Sequence, residues 1–444
     1  MPKNAFTRIL LGLALFAFAM LAAHRALAAP AIVTFNVNNT LDVADDNPGD
    51  GFCHTAAISP AAGACTLRAA VMEADMASGV GVTIIVPAGV YSLTVPATVG
   101  DDASNGDLNL TTPASGNPVI SIVGAGAANT IIDANQIDRV LRVDAGRTAV
   151  ISGLTLRGGF ASEVNGGGIE NLGTLTVDHS SISGNQATAP GEGGGISNEG
   201  QLTVADSTIG PDNSAHGGGG LVNLNTLTLE RSTVYGNSAQ TGAGIVNGGG
   251  TNLTVINSTL SQNTAGTTGG NGGAIENHGT ANVYNSTIIF NSADTDPNTS
   301  TAAGGVWSAS SGSFNMRNTL VAGNYHDNSF EAADCTGTVN SYGRNLFGTL
   351  TPCTVVTGSG SWTAVNSLNL IGPLQNNGGP TWTHALLAGS NAIDGGDPVD
   401  GCVDNNSVPL DTDQRGIPRV VGASCDIGAF EYLPQVLYLP LVRR

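Results

Sequence analysis

His179, Asp206 and Arg231 close three successive segments of one pattern, LTVDH, LTVAD and LTLER. If such segments stack as neighbouring strands about 4.8 Å apart, the carboxylate lies between an imidazole and a guanidinium. That would be an acid and base set, with His179 titrating near neutrality and Arg231 gripping a uronate. The plainer reading is a solvated ladder, because Asn257, Asn285 and Asn318 fill the same column further on, and exposed charge ladders contribute little to stability. A second candidate is the loop carrying Asp42, Asp45, Asp46 and Asp50 around Pro48-Gly49. Oxygen donors at that density suit Ca²⁺, but the spacing is not that of an EF-hand, and a turn-rich cap is the stronger reading. No other cofactor is indicated. Glu170 and Glu276 share a column yet lie four repeats, about 19 Å, apart, well beyond the roughly 5 to 9.5 Å of a glycosidase pair. Asp178 and Glu230, two repeats apart at about 10 Å, also fall just outside that range. Near the carboxyl end Asp394, Asp411, Asp413, Arg415, Arg419, Asp426 and Glu431 mix both signs and read as a structural clasp.

The elements that must position these groups are repeats. GGGIENLGTLTVDHSSISGNQA from Gly166 recurs from Gly193, Gly217, Gly242 and Gly272, and in degenerate form from Gly304. Alignment exposes one column of Asn171, Asn198, Asn223, Asn247 and Asn277, with Ser308 in the degenerate copy. A second holds Asn185, Asn213, Asn237, Asn263, Asn291 and Asn324. Short alternating strands separated by turn residues cannot pack as helices, but they can stack. A repeat of roughly 24 to 32 residues is too short for a propeller blade. Gly and Asn stand where a leucine-rich horseshoe would need helix formers. The expectation is an all-β, single-stranded parallel β-helix in which the Asn columns form hydrogen-bonded ladders at the turns. At its amino end Thr66 can cap a short helix that presents Leu67, Val71 and Ala74 on one face and seals the stack; the carboxyl end reads as a less regular cap.

Charge and targeting signals narrow the partners. The 444 residues carry a formal charge of −19, from 34 acids against 15 bases. Lys3 and Arg8 precede an apolar run from Ile9 to Ala23 and a small-residue site at Ala26-Leu27-Ala28, the layout of a secretory signal cleaved after residue 28. The run is too short to span a bilayer, and no later segment is long enough either. Loss of Lys3, Arg8 and Arg25 would leave 12 Arg against the 34 acids, a charge of −22 with no lysine. Such a surface argues against nucleic acid and anionic lipid as partners. Export also places the cysteines in an oxidising compartment, where they fall into local pairs: Cys53 with Cys65, Cys335 with Cys353, and Cys402 with Cys425. Neighbouring coils could instead bring Cys335 near Cys402.

The run GDGFC, then CTLRAAVMEAD and TIIVPAGVYSL, resembles the CSLREA domain, with Thr66 and Ala69 departing from its hexapeptide. SNAIDGGDP from Ser390 and TDQRGIPRVVGASCDIGAFEY from Thr412 resemble the choice-of-anchor Q domain, and the coils between are similar to the pectin-lyase-like superfamily. The resemblance implies a right-handed β-helix that is secreted or displayed at the cell surface, without a catalytic set to carry over. The expected organisation is signal peptide 1–28, cap 29–81, coils 82–347, carboxyl-terminal coils and cap 348–433, and tail 434–444. That tail, with its apolar stretch Val436 to Val442 and two terminal Arg, is either a last strand or a sorting stub. The functional expectation is a structural or adhesive protein, with carbohydrate or cell-surface components as partners. Trp307, Trp362 and Trp382 are the tryptophans available as sugar platforms. The runner-up is a lyase or hydrolase of acidic polysaccharides.

Overall fold

The computed structural model describes residues 32–55, 63–98, 102–111, 116, 118–266, 270–293, 302–326, 331–350, 352–357, 362–398, 401–404 and 406–434. The expected signal peptide and residues 435–444 of the tail lie outside them.

One coil shows how the rod is built. Ile169–Asn171 forms a short face, Thr174–Asp178 a long face, Ser181–Ser183 a middle face and Gln186–Ala187 a narrow ribbon. Each pairs in parallel with its counterpart one repeat on, Ile169 with Ile196, Leu175 with Leu202, Ile182 with Ile209 and Gln186 with Ser214. Alternation sends Leu175 and Val177 inward and Thr174 and Thr176 outward, so Leu175, Leu202, Leu227 and Leu253 stack in a continuous core. Each fully buried leucine contributes about 1.5 to 3 kcal/mol relative to exposure. The middle face is an 11-stranded sheet running from Gly89–Ser92 to Trp362–Ala364. The architecture is the expected parallel β-helix.

The corners are polar and buried. Asn171 Nδ2 donates to Asn198 Oδ1 at 2.7 Å, and the pattern continues through Asn223, Asn247 and Asn277 at 2.8 Å per step, ending on the Ser308 hydroxyl. The second column runs the same way from Asn185 through Asn213, Asn237, Asn263, Asn291 and Asn324, and its last amide donates to the Asp334 carboxylate at 2.8 Å. A third ladder was not anticipated from sequence. The backbone N–H groups of Ser180, Ser207, Ser232 and Ser258 each donate to the hydroxyl of the next coil's serine, at 3.0 to 3.2 Å. These bonds satisfy turn groups that burial would otherwise leave costly.

The ends differ from the expected boundaries. Ile32–Asn36, assigned by sequence to the cap, pairs with Gly81–Val86 and is the rod's first strand, as its alternating IVTFN allows. The helix α1 (Leu67–Met76) follows, with Thr66 Oγ1 accepting from Ala69 N at 3.1 Å and with Leu67, Val71 and Ala74 buried. At the other end, coils continue past 347 to Ala364. The described residues of 366–434 then fold back along the flank of the rod. The three disulfides are Cys53–Cys65, Cys335–Cys353 and Cys402–Cys425, the local pairing, which excludes Cys335 with Cys402. Each closes a loop at a cap, in the last coils or within the returning segment, where chain restriction has most to add.

Candidate functional site

After each long-face strand one residue takes a left-handed conformation and turns the chain into the middle face. His179, Asp206, Arg231, Asn257, Asn285 and Asn318 all do so, with φ of 44°, 47°, 46°, 47°, 50° and 47°. Asn, Asp and His adopt this geometry more readily than other side chains, whereas Arg rarely does. The single column predicted from sequence therefore exists, but its halves have different environments. Asn257, Asn285 and Asn318 are buried beneath the returning segment and donate from Nδ2 to the carbonyls of Thr412, Val403 and Gly401, each at 2.9 Å. Arg419 is buried in the same seam, donating to Asn257 Oδ1 at 2.5 Å and to Gly428 O at 2.9 Å, with Glu431 at 3.6 Å. Arg415 grips Asp413 at 2.7 Å and lies over the Phe430 ring. Cladding stops at Arg231, whose carbonyl accepts from Thr381 Oγ1 at 3.0 Å.

Beyond that point the column faces outward. Arg231 is held by Asp206 through Nε at 3.0 Å and Nη2 at 2.7 Å, and also by Glu230. The hydrogen-bonded Asp206 carboxylate raises the Arg231 pKa above the ordinary guanidinium range, so this side chain cannot serve as a base. His179 does not share Asp206 as the column implied; its Nδ1 turns to Asp178 at 2.9 Å. Ligand atoms of Asp178, His179 and Asp206 lie within 4.8 Å of one another. They fit Ca²⁺ poorly, because that ion takes six to eight oxygens, whereas Asp206 is committed to Arg231 and Asp178 Oδ2 accepts from Ser152. In the amino-terminal loop, Asp42 binds Arg68 at 2.6 Å and the N–H groups of Thr94 and Val95. Asp45 accepts from Asn47 and His54, Asp50 from Phe52 and Asn47, and Asp46 faces the His54 ring at 3.1 Å. The four carboxylates lock turns and do not converge on one point.

The open middle face carries what the sequence did not reveal. A groove of about 450 Å³ is lined by Asp133, Asn135, Gln136, Arg157, Ser183 and Asp212. Arg157 pairs with Asp133 at 2.9 Å. Asp212 N–H donates to Gly236 O at 2.9 Å, which places the groove beside Tyr235. Tyr235 stacks on Trp382 with centroids 5.6 Å apart, and Trp382 remains 45% exposed. Burial, with Asp212 nearby, raises the Tyr235 pKa, so its hydroxyl stays protonated. Trp382, one of the three tryptophans named as candidate platforms, arrives from far along the chain, and no local motif placed it beside Tyr235. On the short face, Glu276 is buried, and its carboxyl pKa is raised chiefly by burial. It meets His278 Nε2 at 2.8 Å, and the imidazole packs on Trp307 with centroids 5.2 Å apart.

No family model matches the chain, and no curated protein does. A solved structure, the crystal structure of pectate lyase Pel9A, aligns over 90% of this chain and 98% of its own at 14% identity and a TM-score of 0.42, a likeness that assigns no residue a role. The parallel β-helix rests on the strand pairing itself.

Proposed function

We propose that the chain is an exported, surface-displayed β-helix protein that holds a neutral glycan on its open flank, in a structural or adhesive role. The observation that carries this reading is the polar groove beside the half-buried Tyr235, whose ring stacks on the exposed Trp382. Planar amide, carboxylate and guanidinium groups can pair with sugar hydroxyls, and an aromatic face can stack on a pyranose ring. Neutrality follows from charge. The flank's cations Arg157 and Arg231 are already paired, and the surrounding surplus of carboxylates would repel a uronate polymer. The local cysteine pairing suits an oxidising compartment, and no helix among the described residues is long and apolar enough to cross a membrane. The resemblance of both ends to CSLREA and choice-of-anchor Q modules supports surface display.

The test is titration calorimetry against neutral β-linked oligosaccharides and polygalacturonate. Binding of a neutral glycan that is lost in Trp382→Ala supports the reading; no glycan binding, or equal binding by the variant, overturns it. The rival reading, cleavage of an acidic polysaccharide, draws on the buried Glu276 beside His278 and Trp307. Reducing or unsaturated ends formed by the native chain and abolished in Glu276→Gln would establish it instead.

A further inference from the structure

The first strand of the long face, Ile32–Asn36, pairs only on one side among the described residues. Val37 N–H bonds Ile85 O at 3.0 Å; parallel pairing alternates, so the N–H groups of Ile32, Thr34 and Asn36 point away from the rod. A free edge in an exported protein is normally blunted by charge, Pro or a covering element. The strand itself carries no charge or Pro, among the described residues nothing pairs with its outer side, and a groove opens toward each of its two faces. One, of about 590 Å³, is lined by Val33, Phe35, Asp50, Phe52, Cys53 and His54, with Phe52 71% exposed. The other, of about 330 Å³, begins at Ile32 and runs back across the outer face of the sheet past Gly81 and Thr83 to Pro118 and Val119. An edge with a mixed trough carrying Phe35 and Phe52 on one face and an apolar one beginning at Ile32 on the other suits an added strand whose alternate side chains turn to each.

We propose that the occupant is the carboxyl-terminal tail of a second copy of this chain. Between Pro434 and Pro440 lie Gln435, Val436, Leu437, Tyr438 and Leu439. Proline cannot donate to a ladder, so the prolines delimit a strand of the same length as the five-residue edge. Val436 and Tyr438 would enter one trough, and Leu437 and Leu439 the other. Arg443 and Arg444 follow, and Asp50 lines the groove. The tail cannot reach its own edge. Ala429 N–H is fixed to Thr287 Oγ1 at 3.0 Å, and the strand order places that coil eight steps, about 38 Å, from Ile32–Asn36. The seven residues from Ala429 to Val436 span at most about 25 Å. One copy's tail on the next copy's edge is a heterologous contact, and it propagates along a line.

Sedimentation velocity of the full chain tests this from about 1 to about 100 µM, the range in which a modest strand addition would associate. Thr34→Pro removes an outward N–H and leaves the inner pairing; Leu437→Asp spoils the tail; Thr34→Ala is the control, and thermal melts establish that all fold. The native chain and Thr34→Ala should associate, whereas Thr34→Pro and Leu437→Asp should each stay monomeric alone. Their equimolar mixture should form dimers and nothing longer, since one variant keeps a tail and the other keeps an edge. A native chain monomeric throughout the range, association that survives either disabling variant, or a mixture that fails to pair overturns the proposal.

Discussion

Asn257, Asn285 and Asn318 stand in the same left-handed corner as His179, Asp206 and Arg231, yet the first three lie under the returning segment and the last three face outward. A carboxamide can give and accept at once. Asn318, for instance, donates to Gly401 O and accepts from Asp397 N, each at 2.9 Å. An extended segment laid over such rungs finds its own backbone groups satisfied. Charged rungs cannot be covered so cheaply, since each buried charge needs a partner as well as a hydrogen bond. The backbone is therefore the same in both halves, and side-chain chemistry decides which half is clad.

The largest expected effect lies in the clad half. Arg419→Met should lower stability by about 3 to 5 kcal/mol, because it leaves Glu431 and buried carbonyls without their cation. Calorimetry checks this, and a loss below that of a surface substitution would show that the segment rests on the rod without being fastened to it. Next comes the interior ladder shared by both halves: Asn263→Leu should cost about 1 to 3 kcal/mol, against little for the half-exposed Thr228→Leu. Equal melting temperatures would contradict a structural ladder.

A pH effect sharpens the same contrast between buried and open acids. Burial raises the Asp334 carboxyl to about 6, from an ordinary value near 3.8. The folded state thus holds the proton more tightly than the unfolded chain. Its stabilising contribution is complete below about 3.8 and is lost as pH rises to about 6, on the order of 1 to 3 kcal/mol. Asp334→Asn should flatten that fall in denaturant midpoints measured from pH 4 to 7; an unchanged slope would show that the group ionises freely. The smallest effect belongs to the open half, where Arg231→Ala should cost less than about 1 kcal/mol, as expected of a partly exposed pair. A larger loss in thermal melts would mean that the outward row also holds the rod together.

Much of the rod was legible because its information is periodic: the columns read from the repeats are the strand registers observed, Leu175 with Leu202 and Asn171 with Asn198. Local cysteine spacing likewise matched the disulfides. The serine ladder was hidden because Ser180 and its equivalents sit among many other surface-type serines and threonines. The cladding was hidden for a different reason. Thr412 with Asn257 and Gln414 with Ser232 join residues 155 and 182 positions apart, with no repeat to reveal them. The groove with Trp382 inherits that opacity, and His179 turned to Asp178 because a neighbour on its own strand end lies closer than the next coil's carboxylate.

The column from Asn185 to Asp334 has a direction. Every amide turns its oxygen toward the amino-terminal end of the rod and one N–H toward the carboxyl-terminal end, while its other N–H bonds a carbonyl of the preceding coil; the last amide meets an anion. Aligned amide dipoles reinforce one another, and their positive pole lies where Asp334 sits, much as a helix amino terminus favours a carboxylate. The rod is therefore a vector with a terminator. A duplicated whole coil inserted between Asn237 and Asn263 preserves that polarity and should be absorbed, whereas a coil carrying its amide the other way would set two N–H groups face to face and divide the column in two.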